Sequence, residues 1–339
     1  MVRSRCAGCG CECSQPLSCG HRACALCGTA QARAWAQRRA AKLLPVEHFL
    51  VTFTVPEALR MILRSWQREG LAALFYAVGK ALRAVFGKYL QGEPGWTSVL
   101  HTWTRQLMYH PHIHSIVAGC AVGADGAVRR LKKAGFLVPG APLAEAFRDA
   151  MRAALAEVPE LAEALAALPG ETWTRRWVVH IQPVGSGEKA MDYLARYVQK
   201  TALDGARILG CDERGVTFGW RDRETKVARQ STVSGDEFLR RFLQHVLPAG
   251  FMRIRHGGFY ASAARERYEV LAALVGHYTN RPEAAAEAWR AECEKCGGAM
   301  EVERIIIRGK VMLSKAGKER MESVAQVWKA EEPTQERGP

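Results

Sequence analysis

Tyr109-His110-Pro111-His112-Ile113-His114-Ser115-Ile116-Val117-Ala118-Gly119 is the stretch on which the reading of the chain turns. It holds three of the ten histidines within five residues. Ile113, Ile116 and Val117 give it strand character, and Gly119 is the expected end of the strand. Successive side chains on a strand point to opposite faces, so His112 and His114 share one face and Ile113 takes the other. Two imidazoles on one rigid face can hold a divalent metal and leave positions for water or substrate. His110 shares the face but lies roughly 13 Å from His114 along a strand, too far to join the same ion. The alternative is a partly buried histidine strand that carries no metal.

Upstream, Trp96–Trp103 (WTSVLHTW) reads as a second strand, and a turn over Thr104–Met108 brings the histidine strand back beside it, antiparallel. Gln106 is a candidate oxygen ligand for the histidine pair, and His101 is the other candidate. His48–Val55 (HFLVTFTV) is a further strand stopped by Pro56. Residues 57–91 carry a helical stripe of Leu59, Ile62, Leu63, Trp66, Leu71, Leu74, Phe75, Val78, Leu82 and Phe86, broken by Gly92 and Pro94. Downstream, residues 121–170 hold a turn and Ala/Leu/Glu-rich helices, expected as an insertion or outer layer. Trp177–Val184 reads as another strand. The helix after it places Tyr193 and Tyr197 one turn apart on one face, with Lys200 three residues beyond Tyr197. Strands over 215–220 and 226–232, a helix from Asp236 capped by Ser234, a strand over 251–255 and helices over 261–277 and 281–294 complete an α+β reading. Arg253, Arg255 and His256 are candidates either for nucleic-acid contact or for packing.

Composition bounds the partners. The 339 residues carry a net charge of +14 and a pI near 9.5. That excess points to a polyanion, most often nucleic acid. No apolar run was expected to reach membrane-spanning length and no signal-peptide core is apparent, so the expectation is a cytoplasmic protein without a membrane partner. Eleven cysteines in such a compartment argue for metal rather than a disulfide framework. Seven lie in the first 27 residues. Cys6-x2-Cys9 and Cys24-x2-Cys27 are two knuckle-like pairs whose thiolates can close a tetrahedral zinc site, with Cys19 and His21 as competing ligands. A basic helix with Arg33, Arg38, Arg39 and Lys42 follows, either lying along phosphates or simply solvated. Cys293-x2-Cys296 cannot close a site alone; it recruits ligands from elsewhere, pairs across a dimer, or binds nothing. From about residue 309 the sequence turns polar and reads as a disordered tail.

Assembled in order, these segments resemble the rolling-circle transposases of insertion sequences of the IS91 type, two-tyrosine members of the HUH endonuclease class. The Cys6–Cys27 spacing resembles the family's N-terminal zinc-binding domain. PVEHFLVTFTVP, LHTWTRQLMYHPHIHSIVAGC, YLARYVQKTAL, GVTFGWRDR and RFLQHVLPAGFMRIRHGGFY resemble its further blocks. Ala23 stands where members often carry His, Cys120 replaces a usual Gly, and Cys11 and Cys13 are additional. The resemblance implies an antiparallel HUH sheet flanked by helices. It implies a division into a zinc-binding domain (1–44), a catalytic domain (45–232), a C-terminal region (233–308) and a tail (309–339). It further implies His112 and His114 as ligands of Mg²⁺ or Mn²⁺, structural Zn²⁺ in the knuckle, and Tyr193 and Tyr197 as nucleophiles. The substrate it implies is single-stranded or melted DNA at element ends, cut through a 5′-phosphotyrosine link. Rival readings are a non-catalytic zinc-dependent DNA-binding protein, a metal-dependent hydrolase that activates water, and an HUH-class replication initiator or relaxase.

Overall fold

The computed structural model describes residues 1–15, 35, 39–186, 202–203, 207–222, 224–276, 293, 295–307, 310–313 and 318. They fall into two units, Met1–Gly20 with Pro282–Pro339, and His21–Arg281. In the first unit, β1 (Val2–Cys6) and β2 (Glu12–Gln15) join β12 (Met300–Ile307) and β13 (Lys310–Leu313) in a sheet of order β13-β12-β1-β2. Lys310–Leu313, inside the stretch expected as a tail from about residue 309, is a strand paired with Arg304–Ile307. The expected zinc-binding domain, 1–44, is divided between the two units, and the N-terminal strand finds its partner close to the other end of the sequence.

The second unit is organised on an antiparallel sheet. β3 (Glu47–Thr54), β4 (Glu93–Trp103), β5 (Tyr109–Val122), β7 (Val178–Ser186) and β11 (Ile254–Gly258) run in the order β11-β4-β5-β3-β7, and β6 (Val128–Arg130) pairs with the end of β5. The boundary expected at 232/233 does not separate this sheet, since β11 is its edge strand against β4. Period-two alternation sorts the two faces. Phe49, Val51, Phe53, Leu100, Ile113, Val117 and Ala121 form one face and pack beneath α1 (Glu57–Ser65), α2 (Gln67–Tyr89) and α3 (Gly140–Ala156). The single helix expected over 57–91 is broken at Trp66, whose φ of −117° and ψ of 63° leave the helical region. By length and composition α2 is apolar enough to cross a membrane, contrary to the sequence expectation, yet most of that stretch is buried in the core. The segment expected as an outer layer supplies core: Leu143, Phe147, Met151 and Leu155 of α3 are fully buried.

β5 also runs past Gly119, where the strand was expected to end. A Cβ there would stand 2.7 Å from the Glu47 carbonyl oxygen, so the residue allows close strand approach rather than a stop. Beyond the sheet, β8 (Ile208–Asp212), β9 (Gly215–Arg221) and β10 (Ala228–Val233) form a small antiparallel sheet. It packs Phe218 with Leu107, Ala202, Leu203 and the Phe238 and Phe242 rings of α4 (Gly235–Leu243). Ser234 caps α4 as expected, accepting from the Glu237 amide at 3.3 Å.

The β11–β4 edge is an interlock. Gly258 has φ +58°, and a Cβ on it would lie 1.6 Å from the Pro94 carbonyl oxygen. The turn that follows sends Tyr260 into a buried polar contact. Its hydroxyl accepts from the Leu44 amide at 3.3 Å and donates to His48 Nε2 at 3.2 Å, while His48 Nδ1 donates to the Val46 carbonyl at 2.8 Å. Burial pushes His48 down to about 4, with the Val46 carbonyl opposing. Gly258→Ala is expected to cost more than about 2 kcal/mol, because overlap and a left-handed backbone coincide; the urea midpoint measures it. The unfolded His48 titrates near 6.5 and the folded one near about 4, so below pH 6.5 the unfolded chain gains a proton the native one refuses. Stability is therefore full above pH 6.5 and falls towards about pH 4, by up to about 3 kcal/mol from this group. His48→Gln flattens that part of the pH profile in urea titrations.

Candidate functional site

The second face of the sheet carries the histidines. His101 of β4 lies directly opposite His112 of β5, and Val99 lies opposite His114. Ring centroids are 5.2 Å apart for His101–His112, 4.6 Å for His101–His114 and 4.9 Å for His112–His114. One nitrogen from each of the three comes within 4.8 Å of the others. His112 and His114 thus share a face as their spacing requires, and the third imidazole that joins them is His101. Gln106, the expected oxygen ligand, is exposed in the β4–β5 turn, where its backbone carbonyl accepts from Arg241. His110 neighbours His112 at 5.2 Å but stands outside the group.

Hydrogen bonds orient the rings. His112 Nδ1 donates to the His110 carbonyl at 2.7 Å, which leaves its lone pair on Nε2. His114 Nδ1 meets the Thr52 hydroxyl, from the adjacent strand β3, at 3.0 Å. Burial pushes His112 down to about 4 and His114 to about 3, and it holds His101 well below its ordinary value. All three are neutral near pH 7, the form in which imidazole binds metal. The donor set fits a divalent first-row ion. It contains no carboxylate among the described residues, and imidazole donors suit Mn²⁺ and its later neighbours better than Mg²⁺.

The turn joining the two histidine strands is held from outside. Leu107 has φ +63°, a conformation costly for a branched side chain. Its carbonyl accepts from Gln244 Nε2 at 2.8 Å and His245 Nε2 at 3.1 Å. Arg64 in turn donates to Gln244 Oε1 at 2.8 Å, and Thr102 meets His245 Nδ1 at 3.2 Å. The Gln244-His245 pair follows α4 in the sequence and was not singled out there; nothing local in it signals that it fixes a distant turn. Arg253 stacks on Trp103 at 4.8 Å and Arg255 on Phe75 at 4.4 Å, so both have packing roles. Trp103 stacks in turn on His101 at 5.0 Å.

Trp35, Ala40 and Leu43 pack against Leu50, Val99 and Ile116, which lie on the histidine-bearing face. This brings Arg39 and Lys42 near His256 of β11, whose imidazole is pushed down to about 4 by burial and then by those two charges. Arg33, Arg38 and Lys200, the other candidate phosphate contacts, lie outside the described residues, as do both tyrosines, Tyr193 and Tyr197. So do Cys19, Cys24 and Cys27. Cys6 and Cys9, in the first unit, meet Cys293 and Cys296 of the same unit. The backbone N–H of Cys9 approaches Cys6 Sγ at 3.5 Å and holds that thiol down to about 6.

Two family models match the chain, "Putative transposase" over residues 95–267 and "Transposase zinc-binding domain" over residues 1–55. A protein of Sinorhizobium fredii named "Putative transposase y4qJ" is 35% identical over 74% of this chain and 67% of its own length. The "Transposase for insertion sequence element IS801" of Pseudomonas savastanoi pv. phaseolicola is 27% identical over 74% of this chain. The chain spans 63% of that relative's length. Among solved structures, the conjugative relaxase TrwC complexed with a 27-mer DNA aligns at 11% identity over 68% of this chain and 74% of that one. The TM-score of 0.26 is too low to carry an argument. Thr52→Val is expected to lower affinity for Mn²⁺ or Co²⁺ by about 10- to 100-fold while preserving the circular-dichroism spectrum, since it removes only the group that orients His114; calorimetric titration measures it.

Proposed function

Because the chain belongs to the IS91-type family of insertion-sequence transposases, we propose that it nicks and rejoins single-stranded DNA at the ends of a mobile element, through a covalent 5′-phosphotyrosine, in rolling-circle transposition. The observation that carries this reading is the group of three neutral imidazoles on the β4–β5 hairpin, inside the segment that the transposase model matches. His101, His112 and His114 would hold a divalent ion, which would supply positive charge against the charge that develops on the scissile phosphate.

The phenol of Tyr193 or Tyr197 loses its proton, and the phenolate oxygen attacks phosphorus. A P–O bond to tyrosine forms as the bond to the 3′ oxygen breaks, and that oxygen takes up a proton to leave as a free hydroxyl. The phosphodiester count is unchanged, so no nucleotide cofactor is needed. Attack of a 3′-hydroxyl on the phosphotyrosine reverses the step and releases the tyrosine. A second tyrosine allows a second covalent link before the first is resolved. Neutral imidazoles in a buried cluster are suited to hold an ion; they carry no charge of their own to repel it. Arg39 and Lys42 beside His256 supply cationic charge over the same face, where a strand's phosphates are bound. Such a protein acts in the cytoplasm at the nucleoid, with DNA as its partner and no membrane.

The experiment uses labelled single-stranded DNA carrying element ends, with Mn²⁺ or Mg²⁺, resolved on a denaturing protein gel. Wild type is expected to give a metal-dependent shifted band. The band is lost in Tyr193→Phe/Tyr197→Phe and reduced at least tenfold in His112→Ala and His101→Ala. Binding without an adduct would sink the reading in favour of a DNA-binding protein, and cleavage without an adduct in favour of water as nucleophile. An adduct that forms on replication or transfer origins, and not on element ends, would make the chain an initiator or relaxase.

A further inference from the structure

Two segments far apart in sequence fold into the same turn within the first unit. In each, the amide of the first cysteine donates to the carbonyl five residues on, Cys6 to Cys11 at 2.9 Å and Cys293 to Gly298 at 2.8 Å. In each, the glycine after the second cysteine donates back to the first cysteine's carbonyl, Gly10 to Cys6 at 3.0 Å and Gly297 to Cys293 at 2.8 Å. Both glycines have φ +70°. The repeated Cys-x2-Cys-Gly knuckle aims two sulfurs at one point, and here two knuckles face each other. Cys6 Sγ lies 3.5 Å from Cys296 Sγ, and Cys9 Sγ lies 3.6 Å from Cys293 Sγ. All four sulfurs fall within 4.8 Å of one another.

These separations are too long for disulfides, whose sulfurs sit about 2.05 Å apart. They match a tetrahedron of thiolates around zinc: Zn–S bonds of about 2.3 Å set the sulfurs about 3.8 Å apart. The backbone is fitted to the cluster. Ala7 donates to the Ala299 carbonyl at 3.1 Å, joining the knuckles directly. A Cβ on Gly298 would stand 3.1 Å from Cys6 Sγ and 3.3 Å from Cys296 Sγ, so the chain passes close against both sulfurs. Strand β1 leads into the first knuckle and β12 leads out of the second, paired antiparallel from Val2–Ile305 to Cys6–Met300.

We propose that Cys6, Cys9, Cys293 and Cys296 bind one structural zinc ion, which closes the opening and the far C-terminal segments of the chain into a single module. Four thiolates favour zinc over Mg²⁺ or Ca²⁺, and with every position taken by protein the ion has no place for substrate. Binding releases the thiol protons. Cys293-x2-Cys296 thereby acquires the partner that its own spacing cannot supply.

The test is made on the full chain. In the native zinc-loaded protein, alkylation followed by peptide mass spectrometry is expected to spare Cys6, Cys9, Cys293 and Cys296 together, while exposed Cys211 reacts. A zinc chelator then releases all four at once. In parallel, Cys6→Ser/Cys9→Ser and Cys293→Ser/Cys296→Ser are each expected to lose the same single zinc equivalent, and the fourfold variant no more than either. The proposal is overturned if Cys293 and Cys296 alkylate at the rate of Cys211 while Cys6 and Cys9 stay protected. It is equally overturned if Cys293→Ser/Cys296→Ser keeps the wild-type zinc content. Should the variants fail to fold, the alkylation pattern of the unaltered protein decides.

Discussion

Period-two alternation along the β4–β5 hairpin governs the larger unit. One residue of slip would send Ile113, Val117 and Leu100 to the histidine face and bury three imidazoles under α2 and α3. The register that prevents this is set where the strands turn. Leu107 adopts its left-handed conformation with its side chain buried and its carbonyl held by Gln244 and His245. The hydrophobic face and the candidate metal face are two readings of the same register. The residues that stabilise the turn also decide that His101 stands opposite His112. Packing and chemistry are coupled through a single backbone carbonyl.

The smaller unit follows different physics. Its strands are short, and the described side chains of β1 are only partly covered except Cys6. A sheet of this size buries little apolar surface, and small modules of that kind usually depend on a crosslink. Here two local hairpins, β1–β2 and β12–β13, join through β1 and β12, which are separated by almost the whole sequence, so the ordering entropy of that central pairing is large.

This difference explains what could be read from the sequence. The three strands around the histidine motif, the turn between two of them and the shared face of His112 and His114 were legible because all rest on local alternation and short connections. His101 emerged only as one of two candidates, because alternation gives the face of a residue and not its cross-strand partner. Gly119 was misread as an end, since a close approach to Glu47 leaves no local mark. The break at Trp66 interrupts a stripe that otherwise continues in phase. That Cys6 and Cys9 lie beside Cys293 and Cys296 was not legible: the spacing of Cys293-x2-Cys296 calls for further ligands but does not indicate a mate nearly three hundred residues away. A strand was expected over 251–255, but its place as edge strand β11 against β4 and the core role of α3 were not legible for the same reason, as both depend on contacts between distant segments.

The position of β1 inside its sheet, between β2 and β12, has a consequence for the order of events in the cell. A ribosome finishes β1 at residue 6 and does not begin β12 until residue 300. At about 5–20 residues per second that interval lasts on the order of 15–60 s. The larger unit, whose segments all lie between, emerges whole during that time. One edge of β1 can pair with β2 at once, but the other stays open until β12 follows, and Cys6 and Cys9 travel through that interval without Cys293 and Cys296 beside them.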